Sequence, residues 1–331
     1  MANMAAVIHE KGAPDVLRWE EWPVGDPEPG EMRIQHAAIG VNYVDTYHRR
    51  GMPHPWPVPG LLLVLGFEGA GVVEAIGDNV TDFAVGDRVG YAYPPHGAYS
   101  QVRCYPADRC VKLPDAIDDT QAAGMMLKGL TTQYLIRRTY AVQPGDTVLV
   151  HAASGGMGLI LCQWCNAIGA TVIGTVSTPE KAELAMANGC HHPVVRSEES
   201  FVDVVKEVTD GEGLPVVYES IGMDTFMDSL DCLRPLGIMA SFGHASGEPP
   251  DVNVVDLGRR GSLFVTRPAI MHYMAEREHI VDGAADLFDA VMNLGVKITV
   301  NHTWPLREAN AAHAAVESAK TTGSVVLLPG A

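Results

Sequence analysis

The residues "DTVLVHAASGGMGLI" (146–160) run from a β-branched stretch through a glycine cluster into an apolar segment. Gly155, Gly156 and Gly158, with Met157 between them, stand where a strand would turn into a helix. Glycine there permits a tight turn and close approach of backbone to a ligand. The free N–H groups and positive dipole end of the helix then suit a pyrophosphate. The spacing is A-x-x-G-G-x-G rather than G-x-G-x-x-G, and it carries weight because strand and helix patterns flank it correctly. The reading is a dinucleotide site, against a plain turn.

The next apolar strand ends "IGTVSTPEKAE", with Ser177 and Thr178 just beyond it and Lys181 four residues after Ser177. An NAD site usually presents Asp or Glu at that tip for the ribose hydroxyls. No carboxylate stands there, because Glu180 already belongs to the following helix. Small hydroxyl residues and a cation suit a 2′-phosphate, and Arg196 after the third strand offers a second cation. NADPH is therefore expected over NADH. The competing reading makes Lys181 a solvated helix residue.

A second stretch, "IGVNYVDTYHRRG" (39–51), gathers Asn42, Asp45, Thr46, Tyr47, His48 and Arg49 at a loop entering a short helix. Asn42 or Tyr47 could donate a hydrogen bond to the oxygen of an acceptor. The bland alternative is an N-cap and a helix surface. Zinc is not expected. Phe67 in "LGFEGAG" stands where a ligand histidine would precede Glu68, and no cluster of four cysteines occurs in residues 80–120. Without a strong Lewis acid, hydride addition to an electron-poor acceptor becomes the favoured chemistry, because it needs only positioning and a donor. Cys162 and Cys165 form C-Q-W-C inside the predicted helix, whereas a redox pair normally opens one. Core packing is the reading for both.

These residues need elements to hold them. Residues 1–120 show short apolar runs broken by Gly, Pro and Asp turns, which suits a barrel-like β domain. "PVGDPEPGE" and "GMPHPWPVPG" are loops by their proline content. From about residue 121 strands and helices alternate: "TVLVHAA", "TVIGTVS", "HHPVV", "PVVYESIG", "GIMASFG" and "SLFVTRP" are the strands. A helix over "PEKAELAMANG" is expected to start at Pro179 and to end with Gly189 as its cap. Another is expected over "MDTFMDSLDCLRP". Alternation with β-branched strands predicts an α/β fold built on a doubly wound parallel sheet. A long helix (about 278–294), a strand, a helix and a last strand "SVVLLP" follow. The C-terminal segment is expected to return to the first domain, with the cleft between the two domains. That predicts a catalytic domain of residues 1–124 plus 268–331 and a nucleotide domain of residues 125–267.

The chain has 331 residues, 47% hydrophobic and 19% charged, with a formal net charge of −17. Such acidity disfavours nucleic acid, whose binders need a basic surface. No apolar run reaches the ~20 residues of a membrane span. The N-terminal residues lack the pattern of a signal peptide. The expectation is a cytoplasmic protein without a membrane partner. Six cysteines are too sparse for a disulfide scaffold.

Many blocks in order, among them "GAPDVL", "AIGVNYVDTYHRRG", "GFEGAGVVEAIG", "LKGLTTQYLIRRTY", "HAASGGMGLILCQW", "SLDCLRPLGIMASFG" and "GSLFVTRP", resemble the zinc-free quinone oxidoreductases of the medium-chain dehydrogenase/reductase superfamily, the ζ-crystallin-like group. The resemblance covers essentially the whole chain. It implies a Rossmann domain plus a GroES-like β-barrel catalytic domain, NADPH as cofactor, and a homodimer formed through the nucleotide domain. It implies that Asn42, Tyr43, Asp45, Thr46 and Tyr47 lie around the nicotinamide, with Tyr47 also toward the substrate. Thr131 and Tyr134 would line the cofactor cleft. Gly155, Gly156 and Met157 would hold the pyrophosphate, and Ser177 and Lys181 the 2′-phosphate side. Ile221, Gly243, His244 and Ser246 would flank adenine-ribose and nicotinamide. Phe264, Arg267, Pro268, Ala269 and Ile270 would close over the nicotinamide, with Arg267 toward the substrate. The chain departs from the family at Arg196, where Tyr is frequent, and at Ala319, where Arg is frequent and Lys320 is adjacent. The implied activity is hydride transfer to a quinone. Alternatives are an enone or alkenal reductase on the same fold and a non-enzymatic, crystallin-like NADPH-binding protein.

Overall fold

A computed structural model describes residues 2–52 and 60–330. The middle of the proline-rich loop "GMPHPWPVPG" lies outside the described residues. The N-terminal part contributes β1 (Met4–Ile8), β2 (Leu17–Glu21), β3 (Glu31–Val41), α1 (Tyr43–Arg50), β4 (Leu63–Val64), β5 (Glu68–Ile76), β6 (Arg88–Ala92), β7 (Val102–Pro106), β8 (Cys110–Lys112) and α2 (Asp119–Tyr134). Alternating strands and helices follow: β9 (Thr147–Val150), α3 (Gly156–Ile168), β10 (Thr171–Val176), α4 (Pro179–Met186), β11 (His192–Val195), α5 (Phe201–Val208), β12 (Leu214–Glu219), α6 (Phe226–Asp231), β13 (Leu233–Ser241), α7 (Val254–Arg259), β14 (Phe264–Thr266) and α8 (Ile270–Tyr273). The chain ends with α9 (Arg277–Met292), β15 (Val300–Pro305), α10 (Ala309–Glu317) and β16 (Ser324–Leu328).

The chain divides into two compact units. One comprises residues 1–130, 273–288 and 298–331, and the other residues 131–272 and 289–297. In the first, a seven-stranded sheet runs β15-β16-β3-β5-β6-β8 with β7 also on β3, and a three-stranded sheet runs β2-β1-β4. Its core collects Val7, Ile8, Ile34, Tyr91, Tyr99, Val325 and Leu327. The C-terminal strand β16 pairs antiparallel with β3, so the last residues of the chain complete the sheet begun by the first.

In the second unit all six strands are parallel, in the order β11-β10-β9-β12-β13-β14. Relative to β9 as first strand, this is the 3-2-1-4-5-6 order of the doubly wound Rossmann arrangement. The central strand β12 is covered on both faces, which is why it reads "LPVVYE" and is buried at every position. Leu149, Ile173, Val217 and Met239 meet helix residues Phe201 and Phe226 in its core. Two local expectations shift. Gly189 takes a left-handed φ of 86°, but the cap of α4 is Ala187, two residues earlier. The helix predicted through Pro235 stops at Asp231, and Leu233 already opens β13, because edge pairing with β12 outweighs local helical pattern.

Candidate active site

Parallel strands bring their carboxyl ends to one edge, and loops there converge on whatever binds. At the end of β9 the turn "HAASGG" places Ala152 in the left-handed region at φ 52°. A non-glycine residue held there marks backbone strain typical of a ligand-shaping turn. Gly155 caps α3 in an extended conformation and its N–H donates to the Ala152 carbonyl at 2.9 Å. Gly158 packs so closely that a Cβ there would overlap the Ala152 carbonyl oxygen. Gly156 and Met157, both half-buried, form the first turn of α3, whose leading N–H groups have no intrahelical partner.

Next to this turn, β10 ends at Val176, which is aligned with Val195 of β11. Ser177 and Arg196 therefore leave the sheet side by side, and the Arg196 N–H donates to the Val176 carbonyl. Thr178 caps α4, accepting from the Lys181 N–H. The Lys181 ammonium donates to the Ser177 hydroxyl at 3.2 Å, and desolvation lowers its pKa. The tip thus carries a hydroxyl and two cations, with Glu180 on the exposed start of α4.

On the other side of β9 the loops after β12 and β13 lock together. The Ser246 N–H and hydroxyl both donate to the Ile221 carbonyl, at 2.8 and 2.9 Å. A Cβ on Gly243 would lie 2.6 Å from the Ser220 carbonyl oxygen, so only glycine fits there. Arg267, one residue past β14, donates to the carbonyls of Ser241 and Gly243 and to Nδ1 of His244. Burial, then Arg267, push the His244 pKa down to about 4. Arg267 is thereby a brace for the His244 loop. Pro268 and Ala269 follow it and are buried.

Two groups that sequence reasoning passed over hold this edge from below. Glu219 is fully buried at the last position of β12. One carboxylate oxygen accepts from the N–H groups of Ile221 and Gly222, and the other from the hydroxyls of Thr225 and Ser229. Because Ser229 spends its proton on Glu219, His151 must donate to Ser229 through Nε2 and accept from Thr175 at Nδ1. The ring is neutral, its pKa lowered by burial against the opposing effect of Glu219. The available signal was a carboxylate closing an otherwise apolar strand.

One expected cofactor residue stands away from this edge of the sheet. Phe264 begins β14, three residues before Arg267 and hence roughly 10 Å from the carboxyl ends. It is 57% exposed. Lys320 belongs to the other unit, exposed three residues beyond α10. Thr131 and Tyr134 occupy the last turn of α2, half-buried and buried respectively.

In the first unit Asn42 is the N-cap of α1, and the Asp45 carboxylate accepts from the Asn42 N–H at 2.9 Å, closing a capping box. The helix-surface alternative fails: Asp45, Thr46, Tyr47, His48 and Arg49 are all buried. Thr46 donates to the Tyr43 carbonyl, and the Tyr43 and Tyr47 rings meet edge to face at 5.3 Å. Tyr43 is half-buried and its pKa is raised, first by desolvation. Asp45 also accepts from the Tyr99 hydroxyl, leaving Oδ1 buried without a partner among the described residues, and burial pushes its pKa up to about 7. Behind Tyr99 stand His313, Arg49 and Glu317 in sequence. Since arginine can only donate, His313 accepts at Nδ1 and donates from Nε2, and the line of donors points at Asp45.

Asn42 has two further partners. Its Nδ2 donates to Glu68 at 2.7 Å, and its Oδ1 accepts from Lys128 at 2.8 Å. Phe67, next to Glu68, packs against His48 and His96 at ring distances of 5.2 and 4.0 Å. Among the described residues no group of three His, Cys, Asp or Glu could hold a metal ion. Among them also, no helix is long and apolar enough to cross a membrane. Cys162 and Cys165 are buried inside α3, in keeping with packing.

Comparison with known proteins matches residues 28–115 to the alcohol dehydrogenase GroES-like domain and residues 156–290 to the zinc-binding dehydrogenase family. A 2-haloacrylate reductase from a Burkholderia species is 56% identical over 99% of both chains. A quinone oxidoreductase from Pseudomonas aeruginosa is 48% identical over 96% of this chain and 97% of its own. The crystal structure of Escherichia coli quinone oxidoreductase complexed with NADPH superposes with a TM-score of 0.95 at 42% identity, covering 99% of this chain and all of that one.

Proposed function

The chain belongs to the quinone oxidoreductase branch of the medium-chain dehydrogenase/reductase superfamily, and from that premise we propose that it is an NADPH-dependent reductase whose acceptor is a quinone. The observation that carries the cofactor assignment is the tip of β10. Ser177 and Lys181 meet there, and Arg196 leaves the neighbouring strand beside them, where a carboxylate would otherwise claim the ribose. The residues fit the cofactor: the turn at Gly155–Gly158 leaves α3 N–H groups for a pyrophosphate, and Lys181 and Arg196 supply charge for a 2′-phosphate. Bound NADPH supplies a hydride, and the acceptor takes its balancing proton from water. Ile221, Gly243, His244 and Ser246 shape the sheet edge for the dinucleotide, with Arg267 bracing their loops. Thr131, Tyr134, Pro268 and Ala269 add contacts to the same molecule, while Tyr43, Thr46, Asp45 and Tyr47 position its nicotinamide end. Asn42 donates to the acceptor oxygen. Phe264 is better assigned other work, since it stands away from the strand tips, while Lys320, beside Ala319, is kept as a cofactor-binding cation.

The finding of a 56% identical 2-haloacrylate reductase favours one second reading, reduction of an activated C=C bond such as an enone, an enal or a haloacrylate. Turnover with NADPH is to be compared for a naphthoquinone, an α,β-unsaturated aldehyde and 2-chloroacrylate. Fastest turnover of the quinone supports the primary reading, and preference for either alkene replaces it with the second. NADPH binding without oxidation by any acceptor would leave only the non-enzymatic role.

A homodimer through the nucleotide domain is part of the proposal. β14 is an edge strand, paired with β13 alone among the described residues. Phe264 on it is exposed, as are Leu236, Val254 and Val255 nearby in the chain. An edge of this kind invites pairing with a second copy.

A further inference from the structure

Lys128 lies in the apolar helix α2, with its side chain 12% exposed, and Glu68 opens β5 fully buried. Buried charges are rare and costly, and a fold keeps them where their arrangement does something. Lys128 Nζ stands 2.8 Å from Asn42 Oδ1, 3.3 Å from the Val41 carbonyl and 3.5 Å from Glu68 Oε2. Glu68 also accepts from Asn42 Nδ2 at 2.7 Å and from the Leu127 N–H at 2.8 Å. We propose that Lys128, braced by Glu68, is a positioning residue that fixes and polarises the Asn42 amide as a hydrogen-bond donor to the acceptor oxygen.

An ammonium only donates and a carboxylate only accepts. Asn42 must therefore turn Oδ1 to Lys128 and Nδ2 to Glu68. A flipped amide would set N–H groups against the ammonium and a carbonyl against the carboxylate. One Nδ2 proton is spent on Glu68 and the other has no partner among the described residues, so Asn42 offers its ligand a donor and never a carbonyl. The ammonium on Oδ1 draws electron density from the amide and sharpens that remaining N–H, as charge-assisted partners do in a low-dielectric site. Lys128 also offsets the Glu68 charge, which would otherwise repel negative charge building on the acceptor. Donors aimed at developing charge act mainly on the transition state. The inference rests on Asn42 facing the acceptor, as proposed above.

The test measures single-turnover hydride transfer from NADPH in wild type, Lys128→Met and the double variant Lys128→Met/Glu68→Gln. The acceptors are quinones of falling reduction potential and an α,β-unsaturated aldehyde. NADPH affinity is followed by fluorescence and folding by thermal melting. Both variants are expected to bind NADPH within about threefold of wild type and to transfer hydride more slowly. The loss should grow from about tenfold with the best quinone toward about 100-fold with the poorest acceptor, which is below or at the lower end of the cost of removing a transition-state donor outright because the Asn42 donor is weakened and not removed. If Lys128 merely neutralised Glu68, the double variant would recover the wild-type rate with every acceptor, and the proposal would be overturned. Equal losses for all acceptors would overturn it too. The double variant buries no unpaired charge, so it decides the question even where Lys128→Met does not fold. Wild type that oxidises NADPH with none of the acceptors would sink the functional reading itself, a separate outcome from either of these.

Discussion

In the proposed function, cofactor choice turns on Lys181 and Ser177, 3.2 Å apart. Lysine binds phosphate as a point charge, whereas NADH offers that position only hydroxyls. Lys181→Ala is expected to weaken NADPH binding by ~1–3 kcal/mol, the worth of a hydrogen bond to a charged group. NADH binding should change little, and dissociation constants for both cofactors measure this. Equal weakening of the two would remove Lys181 from the 2′-phosphate. The lysine and serine were legible because the pattern β-strand, small hydroxyl, helix is local. Their company with Arg196 was half legible. Its place after the third strand could be counted along the chain, but its alignment with Ser177 depends on β10 and β11 being parallel neighbours in register.

At the scale of elements, α1 shows how a helix start becomes part of the core, where the proposed site draws on it. The N-cap and capping box at Asn42 and Asp45 follow from residue types three apart. The burial of that helix start does not, because it is produced by Tyr99 and His313, which lie 54 and 268 residues from Asp45. Burial gives Asp45 a pKa of about 7 against 3.8 in a free chain. Between those values the folded protein binds the proton more tightly than the unfolded one. The stabilising contribution is therefore full below about pH 4 and is lost as pH rises through about 7. Three units correspond to at most about 4 kcal/mol. Asp45→Asn removes this titration. Denaturant unfolding from pH 4 to pH 8 should show wild type losing stability relative to the variant as pH rises. Parallel curves for the two proteins would contradict the assignment. The strand-tip brace at Glu219 has the same character: the carboxylate was visible in "PVVYES", but its four donors come from a turn and a helix that follow it.

For the molecule as a whole, the edge of β14 left unpaired among the described residues is the feature with the largest consequence. Native sheets seldom leave an edge flanked by exposed apolar side chains. The resemblance implies a cofactor contact for Phe264, and the structure places it at the start of its strand, at the end away from Arg267. Placed there, it suits an interface between two copies. Phe264→Lys is expected to shift the proposed dimer to monomer in sedimentation at micromolar concentration, with NADPH affinity largely retained. A dimer that survives the substitution would move the interface elsewhere. A variant that stays dimeric and loses NADPH would return Phe264 to the cofactor.

Periodicity, turn residues and motif spacing are properties of neighbouring residues, and they were enough for the alternating strands and helices, the glycine turn after β9 and the carboxylate-free tip of β10. They also placed Cys162 and Cys165 in a helix interior and Phe67 before Glu68. What neighbouring residues cannot determine is which distant groups share a dry space. Asn42 meets Glu68 across 26 residues and Lys128 across 86, and only the pairing of β3 with β5 and the position of α2 bring the three together. Arg267 likewise turned out to brace the loop that carries His244, because β13 and β14 are adjacent and parallel. Ionisation, amide orientation and donor direction depend on burial and on partners, and both are set by chain closure over long separations. The type of each site residue was therefore written in the sequence, while its charge state and its task were decided by the fold.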